Sequence, residues 1–102
     1  LLKQNKAKEA EKVLNQLVGD RPNDPDIWYQ VAEVRGLDGN IIGLHQARGE
    51  FFALVGDYDQ AIEQLDLAKR KASVNNFPLA SRIDARQQEF IEEQREVKKM
   101  MR

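Results

Sequence analysis

Apolar residues recur every three or four positions along almost the whole chain, and nowhere do they alternate with period two over a useful length. A period of 3.6 puts side chains on one face of a helix, whereas a strand needs a period of two, so the pattern restricts the chain to an all-α fold. Ala7, Ala10, Val13, Leu14, Leu17 and Val18 form a first stripe, with Lys6, Lys8, Glu9, Glu11, Lys12 and Gln16 facing away. Gly19 and "RPNDP" are expected to stop that helix, with Asp24 as the N-cap of the next and Pro25 in its first turn.

The second helix uses Ile27, Trp28, Val31, Ala32 and Val34, and closes at Gly36 or in "LDGN". A third runs from about Ile41 to Val55, with Leu44, Ala47, Phe51, Phe52 and Val55 on its buried side. Gly56-Asp57 breaks it, and a fourth carries Tyr58, Ala61, Ile62, Leu65 and Ala68 up to about Ala72. "SVNNFP" reads as a loop. The last helix runs from about Leu79 on Leu79, Ile83, Phe90, Ile91, Val97 and Met101, with residues 92–102 projecting into solvent. Residues 1–102 are therefore read as a single domain of about five antiparallel helices joined by short turns.

Composition narrows the function. Residues 1–51 carry seven basic and eight acidic side chains and residues 52–102 nine of each, so no electrostatic footprint for nucleic acid or anionic membrane stands out. The absence of cysteine removes disulfides, thiolate catalysis and sulfur-ligated zinc. No apolar run approaches the roughly 20 residues of a membrane span. The chain opens on Leu1-Leu2 directly in helical pattern, and is read as part of a longer protein.

Helical hairpins call for a test of internal periodicity. Aligning "GDYDQAIEQLDLA" with "NKAKEAEKVLNQL" sets Ala61 over Ala10, Leu65 over Leu14 and Ala68 over Leu17. Trp28, Val31 and Ala32 supply an aromatic, an aliphatic and a small residue on a preceding helix, and Gly49 and Phe52 repeat the small and aromatic pair. These features resemble the tetratricopeptide repeat, which implies a solenoid of helix pairs. The two first-helix patterns begin at Trp28 and His45, 17 positions apart by subtraction, where whole repeats lie about 34 apart. The solenoid is thus expected to be irregular in its middle.

A narrower resemblance is carried by "GLHQARGEFFALVGDYDQAIEQLDLAKRKA" followed by "FPLASRIDARQQEF", through His45, Glu50, Phe51, Phe52, Gly56, Asp57, Tyr58, Arg82, Ala85 and Arg86. The order is similar to the C-terminal repeat region of bacterial periplasmic M48-family zinc metallopeptidases. The resemblance implies a periplasmic location and a separate zinc-bearing catalytic domain. It also implies protein or peptide partners, among them outer-membrane β-barrel proteins, their assembly machinery and the catalytic domain itself.

Within the chain there is no His-Glu-x-x-His, and the single histidine, His45, is followed by Gln46, which gives no metal-ligand spacing. No glycine-rich phosphate loop or nucleophile constellation is present either. Binding is the remaining reading, with no cofactor or metal in this chain. Solenoids bind along the surface lined by their first helices. On the second helix this predicts Asp26, Tyr29, Glu33 and Gly36 as groove positions, and on the third Gln46, Glu50 and Ala53.

Arg35 and Arg48 fall where the repeat prefers apolar residues, so each is expected to be partly enclosed and paired, with Glu33, Glu50 or Asp84 as partner. Such pairs could fix irregular packing or meet a ligand. Arg82 and Arg86 share a face of the last helix and extend the same polar surface. The partner-binding candidates are therefore Asp26, Tyr29, Glu33, Gln46, Arg48, Glu50, Arg82 and Arg86. A structural spacer or homo-oligomerisation element, with no peptide groove and with a homodimer as one form of it, is the alternative.

Overall fold

The computed structural model describes residues 2–101, with five helices in chain order: α1 (Leu2–Asp20), α2 (Pro25–Leu37), α3 (Ile41–Leu54), α4 (Tyr58–Ala72) and α5 (Phe77–Met100). Side-chain placement is described for residue 6 and from residue 8 through residue 101. Ala7 on the first stripe and Arg102 at the projecting end lie outside it.

Each helix packs on the next in sequence, giving an all-α stack of hairpins with extents of 52 × 30 × 18 Å. Local chemistry sets the ends. Asp24, Asn40, Asp57 and Asn76 cap α2 to α5, each side-chain oxygen accepting from a backbone N–H two or three residues on. Gly39 and Gly56 stand at φ 77° and 86° in the turns before α3 and α4, where a side chain would be strained.

α1 ends at Asp20, directly before "RPNDP" as expected, with Gly19 kept in its last turn because one glycine costs a helix only about 1 kcal/mol. One boundary differs from expectation, since "SVNNFP" is not all loop. Phe77 and Pro78 form the first turn of α5, where proline's missing N–H is not needed and Asn76 provides the cap.

The core has two parts. Leu14, Ile27, Val31, Ala32 and Ala47 join α1, α2 and α3, while Ala61, Leu65, Ala68, Ala72, Ala80, Ile83 and Phe90 join α4 to α5. Small residues set the close approach of α3 to α4. A Cβ added at Gly49 would stand 2.8 Å from Leu65 Cδ2 and 3.4 Å from the Ala61 carbonyl.

Some expected apolar positions are on the surface instead. Val13 and Leu17 face outward beside Leu14, and Val55 is exposed as the C-cap of α3. Past Ile91 every α5 side chain except Gln94 is exposed, Val97 included, and so is the C-cap Met101.

Candidate interaction surface

Successive helix positions turn about 100°, so on α3 Gln46 and Glu50 share one side, while Arg48, two positions from Gln46, points to the other with Phe51 and Phe52. The eight candidate residues therefore do not form one groove. They divide between two surfaces flanking α3, and Asp26 lines neither; it is exposed in the first turn of α2. Gly36 packs towards Leu44, and Ala53 against the α4–α5 core, so neither faces a groove.

The first surface is a polar groove of about 290 Å³ that brings together Gln46, Glu50, Arg82 and Arg86, with Trp28 and Arg35 at its α2 edge. Most of its charge is internally committed. Arg86 donates from Nε to Glu50 Oε2 at 2.9 Å and from Nη2 to Glu50 Oε1 at 2.8 Å, a bidentate pair spanning α3 and α5. Its guanidinium also pairs with Glu89 and lies 4.5 Å over the Phe90 ring. The hydrogen bond to Glu50 pushes the Arg86 pKa up, so this cation is fixed.

Arg35 is enclosed as expected, but its partner is Glu11, not Glu33, Glu50 or Asp84. Arg35 Nε donates to Glu11 Oε1 at 3.0 Å and Nη1 to the Gly43 carbonyl at 3.1 Å, tying α1, α2 and α3 together. Asp84 pairs instead with Lys69 at 3.0 Å.

Arg48 corrects the expectation altogether: it is exposed and has no ion-pair partner among the described residues. It points away from the α3–α5 seam, where Glu50 is held by Arg86, while Asp84 is taken by Lys69 and Glu33 lies beyond ion-pair distance. It lines the second surface, a pocket of about 120 Å³ between α2 and α3, with Tyr29, Ala32, Glu33, Phe51 and Phe52. Tyr29 and Phe51 meet edge to face with centroids 5.6 Å apart, and Phe51 and Phe52 do the same at 5.4 Å. Glu33 on the opposite rim has no ion pair among the described residues either. The pocket thus offers an aromatic lining and two uncommitted charges of opposite sign.

Sequence reasoning placed Phe51 and Phe52 in the core and so missed them as pocket walls. Gln87 was missed as well. Buried at the α4–α5 seam, it donates to the Ile62 carbonyl at 3.1 Å and accepts from Lys69 at 2.7 Å. Its signal was register, since it sits four residues past Ile83 and three before Phe90 on the buried stripe.

The residues do not suit a zinc site. His45 Nδ1 lies 2.8 Å from Gln64 Oε1, a link between α3 and α4, and among the described residues no three His, Cys, Asp or Glu gather as ligands. No described helix is long and apolar enough to cross a membrane.

Neither a protein-family model nor a solved structure matches the chain. It is similar to a protein of Vibrio cholerae serotype O1 named "Putative beta-barrel assembly-enhancing protease". The identity is 34% over 86 residues, 84% of this chain. The chain spans 18% of that protein's length, so the likeness concerns one part of a much longer polypeptide.

Proposed function

We propose that this chain is a protein-interaction module of a periplasmic M48-family zinc metallopeptidase, built on tetratricopeptide-like helix pairs. It brings outer-membrane β-barrel proteins, or the machinery that assembles them, to a catalytic domain that holds the zinc. The observation that carries the reading is the α2–α3 pocket, where Tyr29, Phe51 and Phe52 surround a hollow and Glu33 and Arg48 have no internal ion-pair partner. An exposed tyrosine and half-buried phenylalanines beside an unpaired arginine are the chemistry of binding hot spots. The sequence likeness to a protein named for β-barrel assembly and proteolysis supports the class of partner.

The test is binding of this chain to an immobilised, urea-released outer-membrane β-barrel precursor, with Phe51→Ala and Arg48→Glu as variants. Each should weaken binding by about tenfold, or about 1.4 kcal/mol, which exceeds the roughly 1 kcal/mol reached by only a minority of interface residues. Binding unchanged in both variants would exclude this pocket as the site, and no binding by the unaltered chain would remove this class of partner.

A further inference from the structure

Glu33 stands on a ridge between two hollows. On its α3 side lies the aromatic pocket, and on its α1 side an apolar groove contains Val13, Leu17, Val34 and Leu37 and again reaches Glu33. Val13 is 58% and Leu37 71% exposed, so this groove presents apolar surface to water rather than burying it. Asp26, seven residues before Glu33 and on the same side of α2, adds a second exposed carboxylate without an ion pair among the described residues. The ridge is therefore acidic, with an aliphatic groove on one side and an aromatic pocket edged by Arg48 on the other.

We infer that this face is a docking surface for an amphipathic helix of a partner protein, one that carries two apolar residues seven apart with a lysine or arginine midway between them. The inference rests on the interaction-module reading above and specifies the partner. Its geometry follows from helix packing. Hollows on either side of one helix are separated by about one interaxial distance, roughly 8–10 Å. Seven residues of a crossing helix advance about 10.5 Å, so apolar residues at i and i+7 enter one hollow each. The residue at i+3 or i+4 then lies over Glu33, where a cation is matched and a carboxylate repelled.

A helix fits better than an extended segment. Every described element offering this face is helical, with its backbone donors and acceptors already engaged, so nothing is available for strand pairing. A helix satisfies its own backbone and needs only side-chain contacts. Arg48, at the α3 edge of the pocket, sets polarity by disfavouring a second cation beyond the anchor on that side.

The probe is a fluorescently labelled synthetic helix of roughly 18 residues, long enough to hold helical structure, with leucines seven apart and one lysine between them. Anisotropy should show saturable binding to the 102-residue chain, weakened about tenfold by Glu33→Lys and restored when the peptide lysine is replaced by glutamate. Circular dichroism of the variant confirms that it is folded. Equal binding of the lysine and glutamate peptides to the unaltered chain, or of a peptide with leucines five apart, would overturn the inference. So would light scattering that shows this face covered by a second copy of the chain. Binding of a β-barrel precursor through Phe51 and Arg48, with no binding of the helical probe, would defeat the inference and leave the broader reading standing.

Discussion

Arg86 holds Glu50 through two parallel hydrogen bonds of 2.8 and 2.9 Å, and so fastens α3 to α5 although α4 intervenes between them in the chain. The pair closes the polar groove from within. Removing Arg86 leaves a largely enclosed carboxylate, since the Glu50 side chain is 18% exposed. Arg86→Ala should therefore cost about 1–2 kcal/mol, less than a fully buried pair because Arg86 itself still meets water. Urea denaturation reads this directly. A double-mutant cycle with Glu50→Gln should show coupling, and additive effects would mean that the pair does not link the helices.

The aromatic pocket and the polar groove should separate functionally. Gln46→Ala and Arg82→Ala alter the polar groove without touching Tyr29, Phe51 or Arg48. They are expected to change precursor affinity by less than about twofold, whereas Phe51→Ala weakens it about tenfold. The reverse order of effects would move the binding site to the α3–α5 side.

How far the sequence was legible follows from what each residue depends on. Helix number and caps rest on local rules, so Asp24 with Pro25, and Asp57 after Gly56, could be read directly. Burial of Ala61, Leu65 and Ala68 followed from their spacing. Partner choice depends on which way each helix is turned when it packs, and one sequence does not state that. Arg35 thus met Glu11, 24 residues earlier, and Arg48 turned to solvent although both occupied positions the repeat reserves for apolar side chains. The same missing rotation made two surfaces look like one.

Gly49 should resist enlargement. Its missing Cβ leaves room for Leu65, which is 1% exposed and enclosed by the α4–α5 core, so it cannot swing away. Gly49→Ala gains about 1 kcal/mol of helix propensity, but overpacking costs about 1–3 kcal/mol. A net loss of thermal stability is expected, and a larger one for Gly49→Val. A rise in Tm for the alanine variant would show that α3 and α4 can part without cost.

Tyr58 provides a pH signature. Burial, and then the Glu93 carboxylate, push its pKa above the ordinary 10.0, with Arg86 opposing. The native state therefore keeps its phenol proton where the unfolded chain has lost it. The stabilisation is complete below about pH 10 and is lost as pH rises through the native midpoint. In a Tyr29→Phe background Tyr58 is the sole tyrosine, and its ultraviolet titration should have a midpoint above 10.0 that falls on Glu93→Gln. A midpoint at or below 10.0 would contradict the placement of Glu93 beside it.

Arg35 should control how firmly α1 is held. Among the described residues of α1 only Leu14 is buried, and α1 packs chiefly on α2, so its apolar anchorage is slight. The Arg35–Glu11 pair adds a second attachment, and the bond from Arg35 to the Gly43 carbonyl holds the guanidinium in place from α3. Arg35→Lys keeps the charge but loses the planar fork that reaches both oxygens. Amide hydrogen exchange in α1 should then accelerate about tenfold, equivalent to about 1.4 kcal/mol, while the α4–α5 core keeps its protection. If the acceleration spread equally to Leu65 and Phe90, the two halves of the core would be one cooperative unit, and Arg35 would stabilise the whole stack rather than its first helix.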